Sequence, residues 1–144
     1  TRPALPSEVS VFAQAEQIPS AMKDLVWVFS IVLALVFLIV GAFRVLRYQQ
    51  ARERFPWIED LPRILVMTIG VAEILGALGL ILPWATGIYP ILTPIAAAAL
   101  AWLMFMAGMF HAQRREMPDA LLNLLLMIML IAIAYVRWQQ VRPA

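Results

Sequence analysis

The sequence contains no cysteine and only one histidine, and both shortages narrow the chemistry available to the chain. Without cysteine, the chain can form no internal disulfide, no thiolate metal site and no CxxC redox pair. A single imidazole, on His111, excludes a multi-histidine metal site or a bis-histidine haem within the chain. We therefore predict no metal site, and we expect any haem or pigment ligated by His111 to be that of a partner subunit.

Charged residues are also scarce, because they make up 14% of the chain where a soluble domain carries roughly a quarter. Hydrophobic residues make up 63%, and the mean hydropathy is +0.84. This composition predicts a polytopic membrane protein of one domain. The net charge of only +2 excludes an extended basic surface, so nucleic acid is not an expected partner.

Four apolar windows are long enough to cross a bilayer as helices, each about 20 residues. They cover approximately residues 25–43, 64–83, 91–110 and 120–136. The second and third connections are short, which forces antiparallel neighbours. We predict an all-α fold, an antiparallel four-helix bundle within residues 24–144. Residues 1–23 are predicted to form a tail or a short interfacial segment, in which residues 7–18 have a weakly amphipathic pattern.

The distribution of basic residues predicts the orientation of these spans. Seven arginines flank the first and third connections: Arg44, Arg47, Arg52, Arg54, Arg63, Arg114 and Arg115. Four basic residues flank the opposite side: Arg2, Lys23, Arg137 and Arg142. The first and third connections are thus predicted to be cytoplasmic, with both termini outside, in a bacterial or archaeal cytoplasmic membrane.

Small residues recur at helical spacing and predict the faces through which the spans pack. Such residues let helix backbones approach closely in lipid, where no hydrophobic force drives helices together. The predicted packing positions are Gly41, Gly70, Ala72, Gly76, Gly79 and Gly108.

Four polar residues share these faces, and we predict an intramembrane polar cluster of Glu73, Arg44, His111 and Asn123. Glu73 lies about 15 Å from either interface, so its carboxyl must be protonated, paired with a base or hydrated. Arg44 is the predicted pairing partner, because its side chain extends back toward mid-membrane. His111 is either a hydrated interfacial residue or a proton-exchanging or quinone-contacting group. Asn123 is expected to form an interhelical hydrogen bond.

Three segments of the sequence resemble the DoxX-like family of small four-span membrane proteins. They are "RFPWIEDLPRILVMTIGVAEILGALGLILP", "TGIYPILTPIAAAALAWLMFMAGMFHAQRRE" and "NLLLMIMLIAIAYVRW". The turn "GAFR", Gly41–Arg44, matches the glycine followed three residues later by a base that closes the family's first span. The resemblance covers about residues 25–138. It implies a role like that of other members, which include a small membrane subunit of a thiosulfate:quinone oxidoreductase and accessory or assembly proteins.

Three functions remain open from the sequence. The first is a non-catalytic accessory or assembly subunit of a larger membrane complex, in contact with lipid and with other subunits or copies of itself. The second is a small subunit of a quinone-linked oxidoreductase, for which quinone would be the cofactor. The third is a transporter or lipid-binding protein that uses Glu73, although the sequence has no inverted repeat or broken helix of the kind that supports transport.

Overall fold

The computed structural model describes residues 18–141, which form five α-helices and one short 3-10 helix. The α-helices are α1 (Ser20–Leu46), α2 (Tyr48–Arg54), α3 (Arg63–Thr86), α4 (Leu92–Gln113) and α5 (Met117–Val141). The 3-10 helix, Pro56–Asp60, lies between α2 and α3. Helices α1, α3, α4 and α5 are each long and apolar enough to cross a membrane. The predicted all-α, four-span architecture is therefore confirmed.

Each spanning helix is longer than the apolar window that predicts it, because the polar residues at its ends continue the helical hydrogen bonding. Helix α1 begins at Ser20, inside the segment 1–23 predicted to be a tail or interfacial piece. Residues 1–17, and with them nearly all of the predicted amphipathic stretch, lie outside the described residues. Helix α3 continues past Pro83 to Thr86 and ends at Gly87, whose φ of 70° is the left-handed conformation common after helix ends.

The four spanning helices pack largely in chain order: α1 against α3, α3 against α4 and α4 against α5, with a lighter contact between α1 and α5. Their up-and-down course places the connection between α1 and α3 beside the turn between α4 and α5. We call this the Trp57 end and the other the Trp84 end. The central core contains Leu33, Phe37, Leu80, Leu100 and Leu130, all at most 2% exposed.

Glycines set the closest helix contacts. A Cβ on Gly41 would lie 2.6 Å from the carbonyl oxygen of Gly70, so α1 and α3 meet backbone to backbone. A Cβ on Gly76 would lie 2.5 Å from the Leu100 side chain, and one on Gly79 would lie 2.7 Å from Ala96. These two glycines therefore bring α3 close to α4.

Two other predicted packing positions, Ala72 and Gly108, do not make such close helix contacts. Ala72 is exposed on the surface of the bundle, which corrects its assignment to a helix contact. Ala72 lies at the edge of the row of small residues on α3, and this edge of the helix faces away from the neighbouring helices. Gly108 does face α5, but a Cβ there would lie 3.5 Å from the Cβ of Asn123, an ordinary van der Waals distance.

The connection at the Trp57 end is folded onto the bundle instead of extending into solvent. Ala51 of α2 and Ile58 of the 3-10 helix are fully buried and pack on Val66 of α3. Phe43 and Phe55 pack against this second core, with their rings edge to face at 6.5 Å between centroids. The folded connection holds Trp57 against the ends of the spanning helices.

Candidate functional site

Arg44 and Glu73 form an ion pair inside the bundle, through Nη1 of the arginine and Oε1 of the carboxylate. Glu73 is 2% exposed, and the Arg44 side chain is 13% exposed. The pair faces the Gly41–Gly70 contact, because Gly41 lies one turn before Arg44 and Gly70 one turn before Glu73. Close approach of α1 and α3 is what brings the two charges together.

The pair does not use all of its hydrogen-bonding capacity. Nε of Arg44 and Oε2 of Glu73 are both buried without a hydrogen-bond partner among residues 18–141. One donor and one acceptor of the pair therefore remain unused inside the bundle, and each could bond to a water molecule or to a polar group of a ligand.

Trp57 covers the pair on the side that faces the end of the bundle. The guanidinium carbon of Arg44 lies 5.2 Å from the centroid of the Trp57 ring, a cation–π distance. The same indole meets the His111 imidazole edge to face, with centroids 5.8 Å apart. Trp57 thus contacts both the ion pair and the histidine.

His111 belongs to a second polar group at the Trp57 end. Its Nδ1 lies 2.7 Å from Oε2 of Glu116, and the other oxygen of Glu116 accepts a hydrogen bond from Nε of Arg114 at 2.9 Å. Arg114 also pairs with Asp60 of the 3-10 helix. The hydrogen bonds from His111 and Arg114 hold the pKa of the Glu116 carboxyl below its usual value. These contacts link the 3-10 helix, the end of α4 and the start of α5.

Three side chains at this end have ligand atoms close enough to hold a metal ion. The ligand atoms of His111, Glu116 and Asp119 lie within 4.8 Å of one another. Glu116, however, already accepts hydrogen bonds from His111 and Arg114, so a metal would have to displace protein donors.

Among the described residues, no hydrogen bond joins the His111 group to the Arg44–Glu73 pair. The indole of Trp57 contacts both Arg44 and His111, and its one polar group, Nε1–H, can donate a hydrogen bond but cannot accept one. The His111–Glu116 contact and the Arg44–Glu73 ion pair are thus two separate polar groups among the described residues.

Asn123 does not join either group, which corrects its predicted place in the cluster. Its amide nitrogen donates to the carbonyl of Asp119 at 2.8 Å, one turn earlier in α5. This donor bonds within its own helix, and no hydrogen bond from Asn123 to another helix is formed among the described residues.

The sequence does not predict the burial of Arg137, because its position next to the aromatic end of α5 resembles that of an ordinary interfacial arginine. Arg137 is 1% exposed. Its guanidinium carbon lies 4.1 Å from the ring centroid of Trp84 and 4.9 Å from that of Trp27. The placement of two tryptophans and one arginine at the same depth on three spans was the available signal.

Comparison with known proteins assigns the chain by family alone. A family profile described as the DoxX-like family matches residues 28–133, which include all four spanning helices at least in part. Searches of curated proteins and of solved structures found no similar chain. The matched region covers well over half of the sequence and includes the Arg44–Glu73 pair, Trp57 and His111. The chain belongs to the DoxX-like family of membrane proteins.

Proposed function

We propose that this chain is a non-catalytic accessory or assembly subunit of a larger membrane complex, and that this complex carries out redox chemistry. The redox part of the proposal rests on the resemblance to DoxX-like proteins. The accessory part rests on one observation, an apolar groove that runs along the outer face of α4 and α5.

The groove has a volume of about 660 Å³ and is almost entirely apolar. Alanines line it, Ala98 and Ala101 from α4 and Ala134 from α5. Trp102 and Phe105, stacked at 5.4 Å between ring centroids, also line it. Small residues beside large ones let the backbone of another helix approach closely, so the proposed occupant is a transmembrane helix of a partner subunit.

A matched pair of substitutions tests this role. Ala98 and Ala99 are adjacent exposed alanines of α4, but only Ala98 lines the groove. Ala98→Trp should fill the groove and remove a partner that copurifies with the wild-type chain in mild detergent, whereas Ala99→Trp should retain it. If the partner copurifies equally with both variants, the groove is not the surface that binds it. Loss of a dimer alone in Ala98→Trp would identify the occupant as a second copy of the chain.

Quinone binding is the second candidate, favoured by the same groove, because stacked aromatic rings and apolar walls suit a quinone ring with an isoprenoid tail. Extraction of the purified protein should then yield a quinone in stoichiometric amount from the wild type and much less from Ala98→Trp. The transport alternative depends on Glu73, which Arg44 already engages.

The orientation is also proposed, with the Trp57 end in the cytoplasm and the termini outside. Gln50 and Gln113 are exposed at the Trp57 end, and Thr86 is exposed at the Trp84 end. Cysteines introduced singly at Gln50 and Gln113 should resist a membrane-impermeant thiol reagent in intact cells, while one at Thr86 should react. The reverse labelling pattern would invert the orientation.

A further inference from the structure

Arg137 is a buried charge that has no salt bridge in the described part of the chain. No aspartate or glutamate among residues 18–141 forms a salt bridge with it, although a buried cation is costly without an anionic partner. Its Nη1 donates to the side-chain oxygen of Gln140 at 3.0 Å, a neutral acceptor. Two ring faces, of Trp27 and Trp84, supply the remaining electrostatic stabilisation.

Two donor atoms of Arg137 have no hydrogen-bond partner among residues 18–141, and they share one edge of the guanidinium. They are Nε and Nη2, both buried. This edge of the planar group presents two parallel N–H bonds, the geometry that matches two oxygens of a carboxylate or a phosphate. Two buried donors in this arrangement are best satisfied by one acceptor group with two oxygens.

We propose that the Nε–Nη2 edge of Arg137 binds a phosphate group, supplied by a phospholipid headgroup at the Trp84 end of the bundle. The depth of Arg137 favours this chemistry. The residue lies one turn before Val141, the last described residue of α5. Tyr135 and Trp138, both exposed, flank it on the same helix. Tyrosine and tryptophan concentrate at the level of the headgroups, where phosphates are abundant.

The two tryptophans position the guanidinium for this role. Contact with two ring faces restricts the guanidinium, so that its Nε–Nη2 edge loses little side-chain entropy on binding. Because both donors are buried, an arriving phosphate has to shift the side chains that cover them. Binding should therefore be slow to reverse, as for a lipid retained through purification.

The first measurement uses the wild-type protein, stripped of lipid in a maltoside detergent. Added dioleoylphosphatidylglycerol should raise the melting temperature by about 5 °C, since a ligand that binds only the folded state stabilises it. Dioleoylglycerol, which has the same acyl chains but no phosphate, should have no such effect. Equal responses to both lipids, or no response to either lipid or to inorganic phosphate, would overturn the proposal.

Inorganic phosphate distinguishes the two sources of the bound phosphate group, which are free phosphate and a phospholipid headgroup. If phosphate alone raises the melting temperature as much as the phospholipid does, the site takes free phosphate and not a headgroup. If only the phospholipid acts, the headgroup is the ligand. Native mass spectrometry should then show one phosphatidylglycerol retained by the wild type under conditions that remove the others.

Arg137→Lys supplies the matched variant, because it keeps the positive charge and removes the two-donor edge. It should bind phosphatidylglycerol about tenfold more weakly than the wild type does. Arg63→Lys is the control, since Arg63 also lies over an aromatic ring, 5.0 Å from the Tyr48 centroid, but at the Trp57 end. Wild-type affinity in Arg137→Lys would contradict the proposal. If Arg137→Lys does not fold, the comparison of dioleoylphosphatidylglycerol with dioleoylglycerol on the wild-type protein tests the proposal.

Discussion

Arg44 and Arg137, the two arginines with little exposure inside the bundle, are held in opposite ways. Arg44, at the Trp57 end, pairs with a carboxylate and also lies under one tryptophan. Arg137, at the Trp84 end, contacts the rings of two tryptophans, and among residues 18–141 it donates a side-chain hydrogen bond only to a neutral amide. A carboxylate deep in the bundle neutralises a charge that water cannot reach. Nearer the headgroups, ring faces and an external anion can serve instead. The comparison shows that burial alone does not dictate the kind of partner.

The largest expected effect comes from removing the carboxylate acceptor of Arg44. Glu73→Gln leaves the Arg44 cation buried without its counter-charge and should destabilise the bundle by about 3 kcal/mol. Gln140→Leu removes only a neutral acceptor from Arg137 and should cost about 1 kcal/mol. Unfolding in mixed micelles measures both.

A double-mutant cycle sharpens this test. Arg44→Met added to Glu73→Gln should recover part of the loss, giving a coupling free energy of more than about 1 kcal/mol. Simple additivity would indicate that Glu73 is protonated and that its contact with Arg44 contributes little.

The next largest effect concerns the backbone contact that brings Arg44 to Glu73. Gly41→Ala places a Cβ 2.6 Å from the Gly70 carbonyl oxygen, so α1 and α3 must separate, at a cost of roughly 2 kcal/mol. Gly108→Ala is the matched control, because its Cβ would lie at an ordinary contact distance. It should be neutral or slightly stabilising, as alanine is the better helix former. Equal destabilisation by both variants would mean that the closeness of α1 and α3 has no special role.

The tryptophans allow a direct comparison of the two cation–π contacts. Trp84→Leu and Trp57→Leu remove similar volumes, but Trp84 lies 4.1 Å from its arginine, which has no carboxylate partner among the described residues. We expect Trp84→Leu to destabilise by about 1 kcal/mol more than Trp57→Leu. Thermal unfolding of the two variants in the same detergent provides the measurement. A larger effect of Trp57→Leu would reverse the proposed difference between the arginines.

The sequence predicts the four spans and places Arg44 and Glu73 on facing surfaces, because helical periodicity and the cost of charge in lipid are local properties. It fails at Asn123, where a hydrogen bond within α5 competes with contacts between helices. Ala72 shows a related limit of sequence analysis, because the row of small residues on α3 is wider than the surface through which α3 contacts its neighbours.

The Trp57 end could be predicted only in part, because its structure depends on contacts between distant segments. The alternating charges of residues 48–60 are typical of a solvated loop or a short helix, and α2 does form there. Burial of Ile58 and the contacts of Trp57 with Arg44 and His111 require the folded bundle. The burial of Arg137 is not predicted for the same reason, because its two rings come from other helices.

The smallest expected effect concerns pH and again separates the two ends of the bundle. Hydrogen bonds from His111 and Arg114 lower the pKa of the Glu116 carboxyl from its ordinary value of 4.5. Its contribution to stability is therefore fully present above pH 4.5 and is lost as the pH falls through the lower pKa of the folded state. Glu116→Gln should be less stable than the wild type at neutral pH, and this difference should shrink as the pH drops below 4.5. Glu53→Gln, at an exposed carboxyl of α2, is the control and should follow the wild-type curve. A constant difference between Glu116→Gln and the wild type at every pH would show that the contact acts through packing and not through charge.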